Sequence, residues 1–239
     1  MNLIIDIGNT AVKAALMEEG AIVSKERMIS ADRDEIAKFI GTSVLSGAIV
    51  SSVANDPSLL LAFLSGKSAR VHLLTIRSRF PFVIDYATPE TLGVDRLAAA
   101  AGASFHYPHS NLLIIDAGSA LTIDLIAGGT YRGGNISPGL SMRFRALHEF
   151  TGRLPLVTKK EGLFFPGRTT EDAIAGGVVT GIVYEINEYI RTFEKKQGKL
   201  VTVITGGDGG YISSLSGRNM HYHPDLVTEG LNYLLETNV

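Results

Sequence analysis

Two segments of the sequence place a carboxylate and a glycine at the end of an apolar run. Leu3–Gly8 returns 110 residues later as Leu113–Gly118, with five of six positions identical. A carboxylate that ends a buried strand costs free energy unless a partner compensates its charge. Each segment alone suits a plain hairpin turn, for which Asp, Gly and Asn are usual residues. Because the cost occurs twice, the repeat favours a shared ligand, with Asp6 and Asp116 as the charged residues.

Phosphate is the ligand that the neighbouring residues favour. A glycine turn beside the hydroxyl of Thr10 can hold phosphate through backbone N–H groups, and Lys13 adds a cation. A carboxylate such as Asp6 can hold Mg²⁺ there, directly or through water. Gly206–Gly210 follows the apolar strand Val201–Ile204 and predicts another place where the backbone approaches a nucleotide. Neither a Walker A sequence nor a G-x-G-x-x-G after a strand is present, which disfavours P-loop and dinucleotide-binding folds.

The stretch from Tyr86 to Arg96 combines a glycine with a carboxylate and a guanidinium. Asp95 can simply cap a helix over Arg96–Ala103, whose alanines are strong helix formers. Alternatively, Arg96 pairs with a substrate carboxylate and Asp95 accepts a proton from a hydroxyl nucleophile. The residue types alone leave both interpretations open.

Composition limits the classes of protein that remain. The 239 residues carry a formal charge of −2, which gives no general attraction for nucleic acid. No apolar run approaches the roughly 20 residues that span a bilayer, and Leu3 follows Met1 too closely for a signal peptide. The absence of cysteine excludes disulfides and thiolate metal sites. We therefore expect a cytoplasmic protein with neither a nucleic-acid nor a membrane partner.

The elements that must position these residues are predicted as two copies of one unit. Each repeat is a strand, a glycine turn and a second strand, and Ile22–Ile29 predicts a third strand. A helix over Asp32–Ile40 follows, with Ser30 as its cap. The remaining pattern gives β-β-β-α-β-α-β, and an internal duplication explains the repeat. Whether Phe82–Tyr86 adds a strand is open.

The second half of the chain is expected to repeat the first, with domains over residues 1–105 and 106–239. Gly133–Gly139 leads into a helix, and a long helix is predicted over Glu171–Lys196. That long helix contains Gly176, Gly177 and Gly181, each of which costs about 1 kcal/mol against alanine. Close helix packing explains such glycines, and a subunit interface is one place for it.

Together these motifs resemble the type III pantothenate kinases, which belong to the superfamily of actin and the sugar kinases. The resemblance covers nearly the whole chain, and the motifs follow in order. They are Asp6–Thr10, the block from Tyr86 to Arg96, Asp116–Ser119, Gly133–Gly139, Thr151–Pro155, Thr170 before Ala173 and Ile174, Gly206–Asp208 and Pro224–Val227.

The resemblance implies an α/β fold of two duplicated ribonuclease H-like domains with a cleft between them. It also implies ATP-dependent phosphorylation of pantothenate to 4'-phosphopantothenate, the first step of coenzyme A biosynthesis. The implied cofactors are ATP with Mg²⁺ and a monovalent cation, potassium or ammonium. Members of the family are homodimers whose substrate site lies at the subunit interface.

The same resemblance implies roles for individual residues. Asp95 would be the general base, Asp116 would bind the monovalent cation, and Asp6 would serve Mg²⁺-ATP. Ser119 stands where the family usually has threonine, and because serine keeps the hydroxyl, activity should survive. The residues implied for ATP are Asp6, Ile7, Gly8, Asn9, Thr10, Ala11, Val12, Lys13 and Ser119. The residues implied for pantothenate are Tyr86, Gly93, Val94, Asp95, Arg96 and Thr170.

Other functions remain as alternatives. One is a kinase of the same superfamily that phosphorylates another small hydroxy acid or a sugar. Another is a non-catalytic nucleotide-binding protein that acts as a transcriptional accessory factor, as relatives of this family do. The presence of Asp6, Asp95 and Asp116 favours the enzyme. A purely structural domain is disfavoured by the duplication and by the placed carboxylates.

Overall fold

The computed structural model describes residues 1–53, 56–161 and 165–238. The chain forms two compact units: unit 1 consists of Met1–Pro108 and Asp225–Val239, and unit 2 of His109–Pro224. The last helix, which we expected in the second domain, therefore belongs to unit 1. Within the described ranges, no helix is both long and apolar enough to cross a membrane.

Unit 1 is a mixed sheet with helices. Its elements are β1 (Asn2–Ile7), β2 (Val12–Glu18), β3 (Ala21–Met28), α1 (Arg33–Ile40), β4 (Gly47–Ser52), α2 (Ser58–Ser65), β5 (Val71–Leu73), β6 (Val83–Ile84), a 3₁₀ turn (Pro89–Thr91), α3 (Val94–His106) and, after unit 2 in the chain, α7 (Leu226–Asn238). The sheet order is β3-β2-β1-β4-β5. β1 pairs antiparallel with β2 and parallel with β4. The open question about Phe82–Tyr86 resolves as the two-residue strand β6.

Unit 2 repeats the strand arrangement of unit 1, but two helices, not one, lie in the described residues between its third and fourth strands. Its elements are β7 (Leu112–Ala117), β8 (Ala120–Ala127), β9 (Thr130–Pro138), α4 (Leu140–Glu149), α5 (Thr170–Gln197), β10 (Val201–Thr205), α6 (Gly209–Ser216) and β11 (His221–Tyr222). Its own strands lie in the order β11-β10-β7-β8-β9. β7 pairs antiparallel with β8 and parallel with β10. The central strand of each sheet thus has the same neighbours in the same directions, which confirms the predicted duplication.

Each unit buries its own apolar core. In unit 1 the core includes Leu3 and Ile5 of β1 with Ile36 of α1 and Leu64 of α2. In unit 2, α5 supplies one stripe at helical spacing, because residues four apart share a helix face. The buried residues of that stripe are Ile174, Val178, Ile182, Ile186 and Ile190.

Helix α1 begins one residue later than predicted, and its cap lies two residues later. Its cap is Asp32, whose carboxylate accepts a hydrogen bond from the Asp34 N–H at 2.8 Å. The Ser30 hydroxyl lies 3.2 Å from Glu35 instead, so the prediction that Ser30 caps the helix is wrong. Asp is as good a cap as Ser, and position 32 alone puts its oxygen within reach of the first free N–H groups.

Gly133–Pro138, which the sequence indicated as the approach to a helix, is a strand. The stretch forms most of β9, and Gly134 lies opposite Asp124 of β8. A Cβ atom at Gly134 would lie 2.1 Å from the Ile123 carbonyl oxygen and 2.5 Å from Asp124 Oδ1. Gly134 therefore permits close approach to β8, and its lack of a side chain serves packing.

Two glycines allow α3 and α7 to cross in contact. A Cβ atom at Gly230 would lie 2.0 Å from the Ala98 carbonyl oxygen, and one at Gly102 would lie 2.4 Å from the Leu226 carbonyl oxygen. At the end of α3, His106 Nε2 lies 2.7 Å from Glu229 Oε2. This contact with α7 fixes the position of α3, the helix that carries Asp95.

We predict that Gly230→Ala separates these helices. The new methyl group would meet backbone atoms, which cannot rotate away, so the free energy of unfolding should fall by about 1–3 kcal/mol. Chemical denaturation measures the change. Gly66→Ala is the matched control, because its Cβ would lie 3.4 Å from its nearest neighbour at an ordinary helical φ of −80°. Equal stability of the two variants would contradict the prediction.

Candidate functional site

Asp6 lies between two polar side chains that neighbouring strands place beside it. It is opposite Lys13 of β2 on one side and in register with Ser51 of β4 on the other. Only 7% of Asp6 is exposed, and its Oδ1 atom has no hydrogen-bond partner among the described residues. The sheet thus holds a carboxylate in its interior without completing that group's hydrogen bonds.

The surroundings of Asp6 disfavour its charge. Burial raises the pKa of the carboxyl above its usual 3.8, and the Asp95 carboxylate raises it further, while the Lys13 ammonium and the Ser51 hydroxyl lower it. Asp6, Lys13 and Asp95 therefore share one electrostatic environment, although they come from β1, β2 and α3. A cationic ligand bound near Asp6 would offset the repulsion between the Asp6 and Asp95 carboxylates.

The turn that follows Asp6 uses its own glycine to close. The Gly8 N–H donates to the Ala11 carbonyl oxygen at 3.1 Å, so this group is engaged inside the turn. Ile7 and Val12 are buried at the strand ends, whereas Asn9 and Thr10 are exposed. Of the predicted phosphate-binding residues, Asn9, Thr10 and Lys13 are the ones that present polar groups to solvent.

Asp95 lies in the first turn of α3, not at its cap. The helix starts at Val94 after Gly93, and the Arg96 N–H donates to Asp95 Oδ1 at 2.9 Å. A Cβ atom at Gly93 would lie 2.5 Å from the same oxygen, so glycine makes room for this carboxylate. The interpretation of Asp95 as the helix cap is therefore wrong in position, because Gly93 occupies the cap and Asp95 lies in the first turn.

The other residues implied for the acceptor differ in exposure. Arg96 is only 6% exposed, while Val94 and Tyr86 are partly exposed. Tyr86 lies between β6 and the 3₁₀ turn, ahead of Gly93. Thr170 opens α5 in unit 2 and is exposed, one residue after the cap Thr169. The structure of unit 1 thus collects all of these residues except Thr170.

Unit 2 builds the second carboxylate site in the same way. Asp116 of β7 is opposite Thr122 of β8 and in register with Thr205 of β10. Gly206 follows with φ +89°, and a Cβ atom there would lie 2.5 Å from Asp116 Oδ1. A Cβ at Gly118 would lie 3.1 Å from that oxygen. Backbone without side chains therefore packs against the Asp116 carboxylate at two positions.

Ser119 lies on the exposed turn of this second site. The Gly118 N–H donates to the Ala120 carbonyl oxygen at 3.1 Å, which repeats the turn at Gly8. Gly139 approaches the turn so closely that its Cβ would lie 2.3 Å from the Gly118 carbonyl oxygen and 2.5 Å from that of Ser119. The start of α4 thus supports the turn.

The predicted glycine loop Gly206–Gly210 adjoins this site. The Asp208 N–H donates to the Ala117 carbonyl oxygen at 3.0 Å. The Asp208 side chain does not cap α6 but accepts from Lys159 Nζ at 2.6 Å. Lys159 also lies 5.2 Å from the centre of the Tyr211 ring. The loop is therefore held against the end of β7 and tied to the segment before α5.

Two of these neighbours, Ser51 and Lys159, belong to none of the motifs. Ser51 ends an apolar strand just as Asp6 does, and that shared position is the signal that could have indicated it. Lys159 offers no such signal, because it lies far along the chain from its partner Asp208 and in a segment without periodicity.

Two of the three glycines that the sequence analysis singled out in α5, Gly177 and Gly181, face open space within the described part of the chain. No described atom lies within 4 Å of a Cβ built on Gly177 or Gly181. Tyr184, one turn further on, is 67% exposed. Packing inside this chain therefore does not explain Gly177 and Gly181, whereas Gly176 is buried.

Comparison with known proteins gives one consistent family. A family model described as type III pantothenate kinase matches residues 2–192. A Porphyromonas gingivalis protein named type III pantothenate kinase is 39% identical over 242 residues, which cover 100% of this chain and 99% of the relative. A Bacteroides fragilis protein of the same name is 39% identical over 239 residues, with 100% and 98% covered.

Solved structures share the fold at lower identity. A Campylobacter jejuni protein named for the Baf family of transcriptional activators has a TM-score of 0.65 and 23% identity, covering 98% of this chain and 97% of that one. A Sinorhizobium meliloti protein named as a 2-dehydro-3-deoxygalactonokinase has a TM-score of 0.61 and 14% identity, with 98% of both chains covered. These two comparisons show the fold alone, and they confirm the predicted fold class.

We predict that Asp6→Asn stabilises the protein without nucleotide, and that the gain depends on pH. The unfolded carboxyl ionises near 3.8, but the folded one ionises at higher pH, so charged Asp6 lowers stability as pH rises above that value. The variant's thermal midpoint should exceed that of the wild type at about pH 7 and approach it at about pH 4.

Calorimetry across this range measures both midpoints. Asp34→Asn, an exposed carboxyl in the first turn of α1, is the control and should show no comparable gain. A lower midpoint for Asp6→Asn at neutral pH would contradict the assigned cost of burying the Asp6 charge.

Proposed function

Because the chain belongs to the type III pantothenate kinase family, we propose that it transfers the γ-phosphoryl group of ATP to the primary hydroxyl of pantothenate. The product is 4'-phosphopantothenate, on the route to coenzyme A. The observation that supports this most directly is the group of Asp6, Lys13 and Asp95 in unit 1. It combines a cation for phosphate, a carboxylate that needs a cation and a second carboxylate that can accept a proton.

Asp95 is the general base of the proposed reaction. It stands in the first turn of α3, partly exposed, with one oxygen fixed by the Arg96 N–H. Fixing one carboxylate oxygen orients the group towards the hydroxyl that attacks phosphorus. Phosphoryl transfer passes through a loose transition state, so Asp95 removes the proton late and needs little basicity. Positioning and charge neutralisation supply most of the catalysis.

Asp6 and the turn after it hold the phosphates of ATP with Mg²⁺. The Asp6 Oδ1 atom, buried and without a partner among the described residues, fits this ion, because Mg²⁺ prefers carboxylate and phosphate oxygens. Bound Mg²⁺ neutralises charge on the phosphate oxygens. Lys13 binds phosphate as a point charge, and Thr10 donates its hydroxyl.

Arg96 binds the pantothenate carboxylate in this proposal. Its near-complete burial suits a guanidinium that pairs with an anion in a closed site, since arginine matches a carboxylate with two parallel hydrogen bonds. Tyr86, Gly93 and Val94 contact the same substrate in unit 1. Thr170 contributes its hydroxyl from the start of α5.

Asp116 binds the monovalent cation, and Ser119 contacts ATP. The support is the carboxylate of Asp116 near the end of β7, against which Gly118 and Gly206 bring backbone without side chains. A coupled assay with ATP and pantothenate tests the whole proposal when it is run in potassium, ammonium and sodium salts. Equal rates in all three salts would remove the cation role from Asp116.

The chain forms a homodimer in this proposal, through the exposed face of α5. Gly177 and Gly181 leave that face open, and glycine allows another backbone to approach closely. Tyr184 adds an exposed aromatic ring to the same face.

We predict that Asp95→Asn lowers kcat by about 10²–10⁴-fold, the usual range for loss of a general base. Asparagine keeps an oxygen acceptor for the Arg96 N–H, so α3 and ATP binding should remain intact. Steady-state kinetics and calorimetric ATP titration measure the two effects. Glu90→Gln in the exposed 3₁₀ turn is the control, and near-normal turnover of Asp95→Asn would remove Asp95 from the base role.

We predict that Gly181→Arg produces a folded monomer. The new side chain meets open space within its own chain, but it would obstruct a partner helix. Light scattering after size exclusion gives the mass, and circular dichroism gives the helix content. Lys196→Glu, exposed near the end of α5, should stay dimeric. A dimeric Gly181→Arg would exclude this face as the interface.

A further inference from the structure

Ser51 is buried beside Asp6, and its hydroxyl lies near enough to the Asp6 carboxyl to lower the pKa of that group, although it makes no hydrogen bond of ordinary geometry. Its side chain is 0% exposed, and its Oγ atom has no hydrogen-bond partner in the described part of the chain. A hydroxyl carries one donor and two acceptor sites. Burying all of them without a partner destabilises a fold, and alanine would fill nearly the same space without that cost.

Two oxygen atoms on adjacent strands therefore lack partners. Ser51 is in register with Asp6 on the parallel strand β1, and each residue stands one position before the end of its strand. In-register residues of paired strands direct their side chains to the same face. The Ser51 Oγ and Asp6 Oδ1 atoms thus indicate one ligand that takes oxygen donors.

The charges around the pair favour a cation. Two carboxylates, Asp6 and Asp95, lie near enough to interact, against the one ammonium group of Lys13. A water molecule alone would complete the hydrogen bonds but would leave the charge of Asp6 uncompensated. Mg²⁺ binds in proteins through one or two carboxylates with substrate phosphates, and it keeps several water molecules.

Unit 2 repeats the same pairing of residue types. Asp116 of β7 is in register with Thr205 of β10, so a buried hydroxyl residue again stands beside the carboxylate that ends the central strand. The pairing is therefore a feature of the repeated unit. Local packing of β4 alone does not explain why the pairing occurs in both units.

We propose that Ser51 is a positioning residue for the Mg²⁺ ion that binds with ATP. The Ser51 hydroxyl and the Asp6 carboxylate together hold one water molecule of the ion's shell. The inference rests on the ATP-dependent function proposed above. It adds a residue that acts through Asp6 and water, without direct contact with the nucleotide. Loss of such outer partners typically lowers metal affinity by about 10–100-fold.

Calorimetric titration of ATP with and without Mg²⁺, in the absence of any acceptor, tests the proposal. The wild type should bind ATP more tightly with Mg²⁺. Ser51→Ala should lose about 10–100-fold of that Mg²⁺-dependent gain, while its affinity for ATP in EDTA stays unchanged. Its thermal midpoint without ligand should equal or exceed that of the wild type.

Ser68→Ala is the matched control in unit 1. Ser68 is 8% exposed, but its Oγ atom accepts from the Arg70 N–H at 3.3 Å. This variant should lose thermal stability and keep the full Mg²⁺-dependent gain, the opposite pattern to Ser51→Ala.

Three results would overturn the role of Ser51. The first is that Ser51→Ala keeps the full Mg²⁺-dependent gain in ATP affinity, and the second is that this variant clearly loses thermal stability. The third is that the ATP affinity of the wild type does not change when Mg²⁺ is added. The acceptor part of the proposed function is tested separately. A wild type that binds Mg²⁺-ATP but does not phosphorylate pantothenate would contradict the acceptor assignment alone.

Discussion

The burial of Asp6 at the end of a central strand is the constraint on which the arrangement of unit 1 depends. Water would solvate this carboxylate at no cost, whereas the sheet removes that solvation and supplies only part of a replacement. Lys13 can partly compensate because β2 returns antiparallel beside β1. Asp95 can act on the same charge only because α3 is placed near the strand end. Strand order and helix position thus converge on one ionisable group.

The contact between α3 and α7 transmits this constraint to the rest of unit 1. Helices whose backbones touch at Gly102 and Gly230 have no side chains in between that could yield, so the position of α3 is fixed closely. A base must be placed within a fraction of an ångström to act efficiently. The glycines far from the chemistry therefore matter for Asp95 as much as Gly93 beside it.

Local pattern in the sequence was enough to predict the strands around Asp6 and Asp116, since alternation, turn glycines and the repeat are all short-range signals. It also indicated the phosphate turn and the carboxylate at position 95. Local pattern could not predict which distant segments pair with one another. The register that sets Ser51 beside Asp6, the ion pair of Lys159 with Asp208, and the return of the last helix to unit 1 all depend on long-range contacts that single-chain periodicity does not encode.

Because α7 belongs to unit 1 but follows unit 2 in the chain, the order in which the two units can complete during synthesis is fixed. Unit 2 is one continuous stretch of chain, whereas unit 1 needs α7, whose buried residues include Leu226, Leu231 and Leu234. A nascent chain leaves the ribosome from its N-terminus, so unit 2 has emerged before unit 1 can close. Until then the alanine-rich face of α3 lacks its cover, and Asp95, the base proposed above, is not yet held in place. The proposed site in unit 1 is thereby completed only after α7 has been translated.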